Sequence, residues 1–205
     1  MLTLYITRHG ETDWNVQNRM QGWGDSDLTE SGVRNAEFLG ERLEGVKFNT
    51  IYSSPSKRTR LTTDLIRGHK STPIIYDEKL KEINMGEWEG KTKSYIEENY
   101  PDESDNFWNN PHLFTSDKGE SFSDFQCRVL KSIDVIRKEH ITGNVLIVTH
   151  SVVIKVILAY FKDIPLERLW EPPFIHDTSL TVIELNSGEN RIVLEGDISH
   201  RELDR

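Results

Sequence analysis

Cysteine is nearly absent. With Cys127 alone in 205 residues, no intrachain disulfide can form, and the usage fits a reducing compartment. Several catalytic signatures are missing too. No Gly-x-Ser-x-Gly elbow presents a serine nucleophile. No His-Glu-x-x-His helix or zinc-type Cys/His spacing is present, so neither a metal nor a cofactor is expected. Residues 86–92 (Gly-Glu-Trp-Glu-Gly-Lys-Thr) approach a nucleotide-binding loop but place three residues between the glycines where that motif needs four, and their two glutamates would repel phosphate. Positive charge is in deficit: 25 Lys and Arg against 34 Asp and Glu leave a net charge of -9. That balance argues against nucleic acid or an anionic membrane as the partner. An anionic substrate must instead be drawn in by a local cluster of cations. No basic stretch leads into an apolar one at the amino terminus, and a cytoplasmic location is the expectation. The longest apolar run, residues 145–161, carries His150 and Lys155 near its middle and reads as a strand followed by a buried helix, not as a membrane span.

What is present begins at residues 4–12, Leu-Tyr-Ile-Thr-Arg-His-Gly-Glu-Thr. A short β-favouring run stops on Arg8 and His9, and Gly10 allows a tight turn. Both side chains therefore stand at the carboxyl end of a strand, where open α/β folds place their ligands. An arginine there can clamp a phosphate and a neutral imidazole can attack one, although a surface turn with a basic pair would look the same. Residues 146–151, Leu-Ile-Val-Thr-His-Ser, repeat the pattern with His150. In a parallel sheet the two strand ends share one edge. Ser54-Pro55-Ser56-Lys57-Arg58 follows a third apolar run and puts hydroxyls and cations at a helix amino terminus, a natural anion site.

Strand-like runs fall at 2–7, 50–53, 73–76, 144–149, 179–185 and 191–195, separated by helical patterns. Thr29 is the expected N-cap of a helix ending near Leu43. Further helices are expected at Ser56–Arg67, closed by Gly68, at Ser121–His140 and at Ser151–Phe161. The alternation implies a single-domain, three-layer α/β/α sandwich with a mostly parallel central sheet. Residues 84–120 differ in texture: Trp88, Tyr95, Tyr100, Phe107, Trp108 and Phe114 lie among acids, Asn, Pro101 and Pro111. They read as an insertion off the sheet, either a lid over a pocket or a satellite core.

Taken in order, Arg8-His9-Gly10-Glu11-Thr12, Asn15, Gln21-Gly22, Leu28-Thr29-x-x-Gly32, Ser53-Ser54-Pro55 with Arg58, Glu82, Gly119-Glu120-Ser121 and Val148-Thr149-His150 resemble the histidine phosphatase (phosphoglycerate mutase-like) superfamily over nearly the whole chain. Three positions depart from its pattern: Ser151 stands in place of glycine, Asp177 in place of asparagine before Thr178-Ser179, and Thr59 in place of alanine. The resemblance implies a metal-independent phosphomonoesterase acting on a small phosphorylated metabolite. In it His9 takes up the phosphoryl group as phosphohistidine, while Arg8, Arg58 and His150 hold its oxygens. Asn15 and Gln21 supply further donors, and Gly22 and Ser151 border the substrate. Glu82 would protonate the leaving oxygen and then activate water. A free glutamate has a pKa of about 4.3, so that role needs burial or the bound phosphate to outweigh the arginines.

The alternative within the family is a cofactor-dependent phosphoglycerate mutase. The mutase branch follows its glutamate with Arg-x-Tyr-Gly-x-Leu and a longer, more basic insert. Here Ile83-Asn84-Met85-Gly86-Glu87-Trp88 follows, and the insert carries Glu97, Glu98, Asp102, Glu103 and Asp105. That favours the phosphatase, with the aromatics receiving an apolar or mixed leaving group. A binding protein that had kept only the fold would be expected to lose one of Arg8, His9, Arg58, Glu82 or His150, and all are present. Oligomeric state is open, with a homodimer among the options.

Overall fold

The structure, a computed structural model, describes residues 1–186 and 190–201. In chain order its main elements are β1 (Leu2–Arg8), α1 (Asp13–Val16), α2 (Glu30–Arg42), β2 (Phe48–Ser53), α3 (Lys57–Arg67), β3 (Ile74–Tyr76), α4 (Lys93–Asn99), α5 (Pro101–Asn109), α6 (Phe122–Glu139), β4 (Gly143–Thr149), α7 (Ser151–Phe161), β5 (Leu180–Leu185) and β6 (Asn190–Asp197). Residues 187–189, between the last two expected strands, lie outside the described residues.

The strands form one sheet in the order β3-β2-β4-β1-β5-β6. Three of the five pairings are parallel, and the β5–β6 hairpin closes one side antiparallel, so the sheet is mixed with a parallel half. Helices cover both faces, which is why the central strands are apolar nearly throughout. Alternation assigns each side chain its face. Leu4, Ile6, Val145 and Ile147 pack against α6 and α7. Leu146 and Val148 join Leu39 of α2 and Ile66 of α3 on the other side. Residues 145–161 are indeed β4 followed by the buried helix α7, and no helix among the described residues is long and apolar enough to cross a membrane.

Local signals explain the helix ends. Thr29 and Ser121 accept from the backbone of Gly32 (3.0 Å) and Asp124 (3.1 Å), satisfying donors that a helix start leaves open. Gly68 closes α3 with φ of 55°. The insertion packs through its aromatics. Trp88, Phe114 and Phe122 surround Phe107 with ring centroids 5.1–5.6 Å away, and this aromatic cluster is continuous with the main core. Its inner edge, with Met85, Lys93, Phe107 and Trp108, forms one wall of a cavity at the sheet's carboxyl edge.

Candidate active site

Sheet register builds the site. Arg8 of β1 pairs with Thr149 of β4, so His9 and His150 each follow the last paired position of adjacent parallel strands. The His9 backbone N–H donates to Thr149 O at 2.9 Å, and the two imidazole centroids lie 5.3 Å apart. The cavity in front of them measures about 630 Å³ and is lined by Arg8, His9, Asn15, Gln21, Gly22, Arg58, Glu82 and Ser151, with Lys155 and an apolar wall.

His9 is buried, and its Nδ1–H donates to the Gly10 carbonyl at 2.8 Å. That bond fixes the tautomer and leaves Nε2 with its lone pair. Burial, then the Arg58 and Arg8 cations, hold the imidazole well below the usual histidine range, against a smaller opposing pull from Gly10. A neutral, oriented imidazole is the form able to attack phosphorus.

The two arginines are held differently. Arg8 donates from Nη1 to Ile175 O at 3.0 Å, and its buried Nε has no partner among the described residues. Arg58 is only 1% exposed. Its guanidinium donates to Gly24 O (2.6 Å), Gly22 O (2.8 Å) and the Asp25 carboxylate (2.7 Å). Of the three cations at the start of α3, Arg58 alone turns inward. Lys57 pairs with Asp27, and Arg60 stacks on Tyr76. The amino terminus of α3, expected as an anion site for substrate, already holds an anion: the Asp25 carboxylate accepts from Lys57 N (2.8 Å).

His150 also departs from expectation. It is absent from the cavity lining and lies beneath Arg58, with Nδ1 3.1 Å from Nη2 and Nε2 2.8 Å from Ser54 Oγ. It supports a cation that lines the cavity. Among the expected donors, Gln21 gives its Nε2–H to Thr12 (2.9 Å). Asn15 uses Oδ1 to accept from Thr12 N (3.1 Å) and Thr12 Oγ1 (3.0 Å).

Glu82 is buried at the start of the loop leading into the insertion. Its carboxylate accepts from Ile83 N (3.0 Å), Val152 N (3.2 Å) and, more weakly, Ser151 Oγ (3.4 Å). Burial pushes its pKa up, outweighing those N–H groups and the two arginines. A carboxyl whose pKa is raised by burial and a neutral imidazole in one cavity are a matched acid and nucleophile.

The model of the histidine phosphatase superfamily (branch 1) matches residues 4–198. The chain belongs to that superfamily. The solved structure of Bacillus stearothermophilus YhfR is 49% identical, with a TM-score of 0.95 over 98% of this chain and 99% of that one. Phosphoserine phosphatase 1 of Hydrogenobacter thermophilus is 31% identical over 94% of this chain and 91% of its own length. A probable phosphoglycerate mutase, GpmB of Shigella dysenteriae, is 32% identical over 80% of this chain and 77% of its own.

Within this histidine phosphatase, several supporting groups carry no signal that sequence reading could have used. Glu89 accepts from Trp23 N (2.8 Å), Gly24 N (3.0 Å) and Met85 N (3.2 Å), tying the Gly22 loop to the insertion. Arg128 gathers carbonyls of the 78–82 loop. Lys155, inside an apolar helix, donates to the Glu171 and Pro173 carbonyls and fixes the 171–175 wall. That wall, Trp170 with Pro172-Pro173-Phe174-Ile175, did have a signal: an aromatic and proline run between α7 and β5.

Proposed function

We propose that the chain hydrolyses small-molecule phosphate monoesters in two displacements at His9. Nε2 attacks phosphorus and the ester oxygen leaves with the proton of Glu82, giving phosphohistidine and a free alcohol. Glu82, now a carboxylate, takes a proton from water as it attacks the phosphohistidine, releasing phosphate and restoring both groups. Each displacement is easier than direct attack by water. Arg8 and Arg58 balance the charge of the transferring group, with Asn15, Gln21 and Ser151 at its border. His150 acts through Arg58 in this scheme. The observation that carries the reading is His9 itself, neutral, pinned through Nδ1 and flanked by the half-buried Arg8 and the buried Arg58.

The relatives named phosphoserine phosphatases support hydrolysis over isomerisation. Met20, Met85, Phe107, Trp108, Trp170 and Phe174 favour a leaving group with apolar surface. The test is phosphate release from a panel of monoesters with a chelator present, including 3-phosphoglycerate with and without 2,3-bisphosphoglycerate. Phosphate release from several esters under chelation is expected. Rapid isomerisation with little release would move the assignment to a mutase, and strict dependence on a divalent metal would overturn the mechanism.

A further inference from the structure

Residues 175–178 wrap around Arg8. The Ile175 carbonyl accepts from its guanidinium at 3.0 Å. Three residues on, the Thr178 N–H donates to the Arg8 carbonyl (3.1 Å) and the His9 carbonyl (3.3 Å). Thr178 is wholly buried with φ of 50°, so the peptide linking it to Asp177 has little freedom. Between these anchors lies Asp177, a carboxylate where the family pattern has a neutral amide. Together with Glu82, it is one of the two carboxylates that act favourably on the Arg8 charge.

That carboxylate is already engaged. Arg201, in the segment after β6, donates to the Asp177 backbone carbonyl and lies 3.0 Å from Asp177 Oδ1. Both side chains are only 16% exposed, so water screens the pair poorly. Asn35 adds a long contact of 3.5 Å to Oδ2. Removing Arg201 would leave a poorly hydrated anion that still acts on the Arg8 charge. An arginine neutralised from behind attracts a phosphoryl group less, and the carboxylate would add its own repulsion.

We infer that Arg201 is a positioning residue for the phosphate site: by pairing with the Asp177 carboxylate it leaves the Arg8 charge available to the phosphoryl group. This rests on the reading that Arg8 binds that group. The test is a double-mutant cycle read as the inhibition constant of inorganic phosphate and as KM against kcat for an aryl phosphate. Arg201→Met is expected to raise the phosphate constant and KM about tenfold, with a smaller change in kcat, the scale of one partly buried charge left unpaired. Adding Asp177→Asn should return both to within about threefold of the parent, because the charge to be neutralised is gone. Asp177→Asn alone should bind phosphate at least as tightly as the parent.

A double variant as weak as Arg201→Met would mean that the arginine only packs this segment, and would overturn the inference. Weaker phosphate binding by Asp177→Asn would also overturn it, even if Arg201→Met failed to fold. Arg8→Met separates the underlying reading: if it binds phosphate as well as the parent, Arg8 does not hold the phosphoryl group and the inference falls with that assignment.

Discussion

Arg58 Nη2 lies 3.1 Å from His150 Nδ1, and this contact sets the protonation of the imidazole. A guanidinium can only donate, so Nδ1 must keep its lone pair, and Nε2–H then donates to Ser54 Oγ at 2.8 Å. His9 is the reverse, protonated on Nδ1 towards Gly10 O. Two histidines on neighbouring strands are thus held in opposite tautomers. Burial and the Arg58 cation also keep His150 well below the usual histidine range. Long-range proton–nitrogen NMR should find His9 as the Nδ1–H form and His150 as the Nε2–H form, both neutral at pH 6.5. Matching tautomers, or an imidazolium signal at that pH, would contradict the assignment.

The pH dependence follows from opposite shifts. His9 works as the neutral base, so activity is lost as pH falls through its depressed pKa, and the acid limb lies well below 6.5. Glu82 works as the acid, so activity is lost as pH rises through its pKa, which burial places above 4.5. The basic limb of kcat/KM should therefore belong to Glu82 and be prominent for alkyl esters, whose leaving oxygen needs a proton. Glu82→Gln should lower turnover of an alkyl phosphate by about 10²–10⁴ but that of an aryl phosphate by less than about tenfold. Equal losses on the two esters would remove Glu82 from the proton-donor role.

Gly22 is held by geometry as well as by family pattern. Its φ is 53°, and a Cβ there would stand 2.4 Å from Glu89 Oε1. The carboxylate cannot swing away cheaply, because it accepts from Trp23, Gly24 and Met85 N–H groups. Gly22 O meanwhile accepts from Arg58. Gly22→Ala should cost about 1–3 kcal/mol of stability, from the left-handed backbone and the loosened N–H groups. It should also weaken phosphate binding as Arg58 shifts. Thermal melting and phosphate inhibition measure the two effects, and an unchanged melting temperature would contradict the strain argument.

Much of this arrangement was legible because single strands announce themselves. Apolar runs that end on Arg8-His9 and on His150 need only local pattern, and so do Thr29 and Ser121 as caps. The Arg8–Thr149 register that sets the two imidazoles side by side is a property of two strands 141 residues apart, and neither strand encodes it alone. Periodicity separates Lys57, Arg58 and Arg60 onto different helix faces without saying which face turns inward. Asp25 at the start of α3, and His150 beneath Arg58, depend on where a loop or a guanidinium comes to rest. Polar supports such as Glu89 and Lys155 read as ordinary charged residues until their distant carbonyls and N–H groups are in place.

Arg128 makes the last case, because it reaches Glu82 without touching the cavity. Its Nη1 donates to the carbonyls of Lys79 and Lys81 at 3.0 Å each, and Nη2 donates to Glu82 O at 3.1 Å. The same guanidinium forms a two-pronged pair with Glu120 at 2.7 and 2.6 Å, and Glu120 in turn accepts from Asn84 N at 2.9 Å. With Trp23 Nε1, which also donates to Glu82 O at 2.9 Å, this guanidinium ties down the loop carrying the acid. Arg128→Met would take this donor from the Lys79 and Lys81 carbonyls and the cation from a half-buried Glu120, costing about 2 kcal/mol of stability. General unfolding would lower alkyl and aryl phosphate turnover alike. A displaced Glu82 should instead lower the alkyl rate about tenfold or more while sparing the aryl rate, as small misplacements of a catalytic group do. Restoring a cation with Arg128→Lys should recover little, since an ammonium cannot span the carbonyls and both Glu120 oxygens. An unchanged ratio of alkyl to aryl turnover in Arg128→Met would show that the loop holds Glu82 without it.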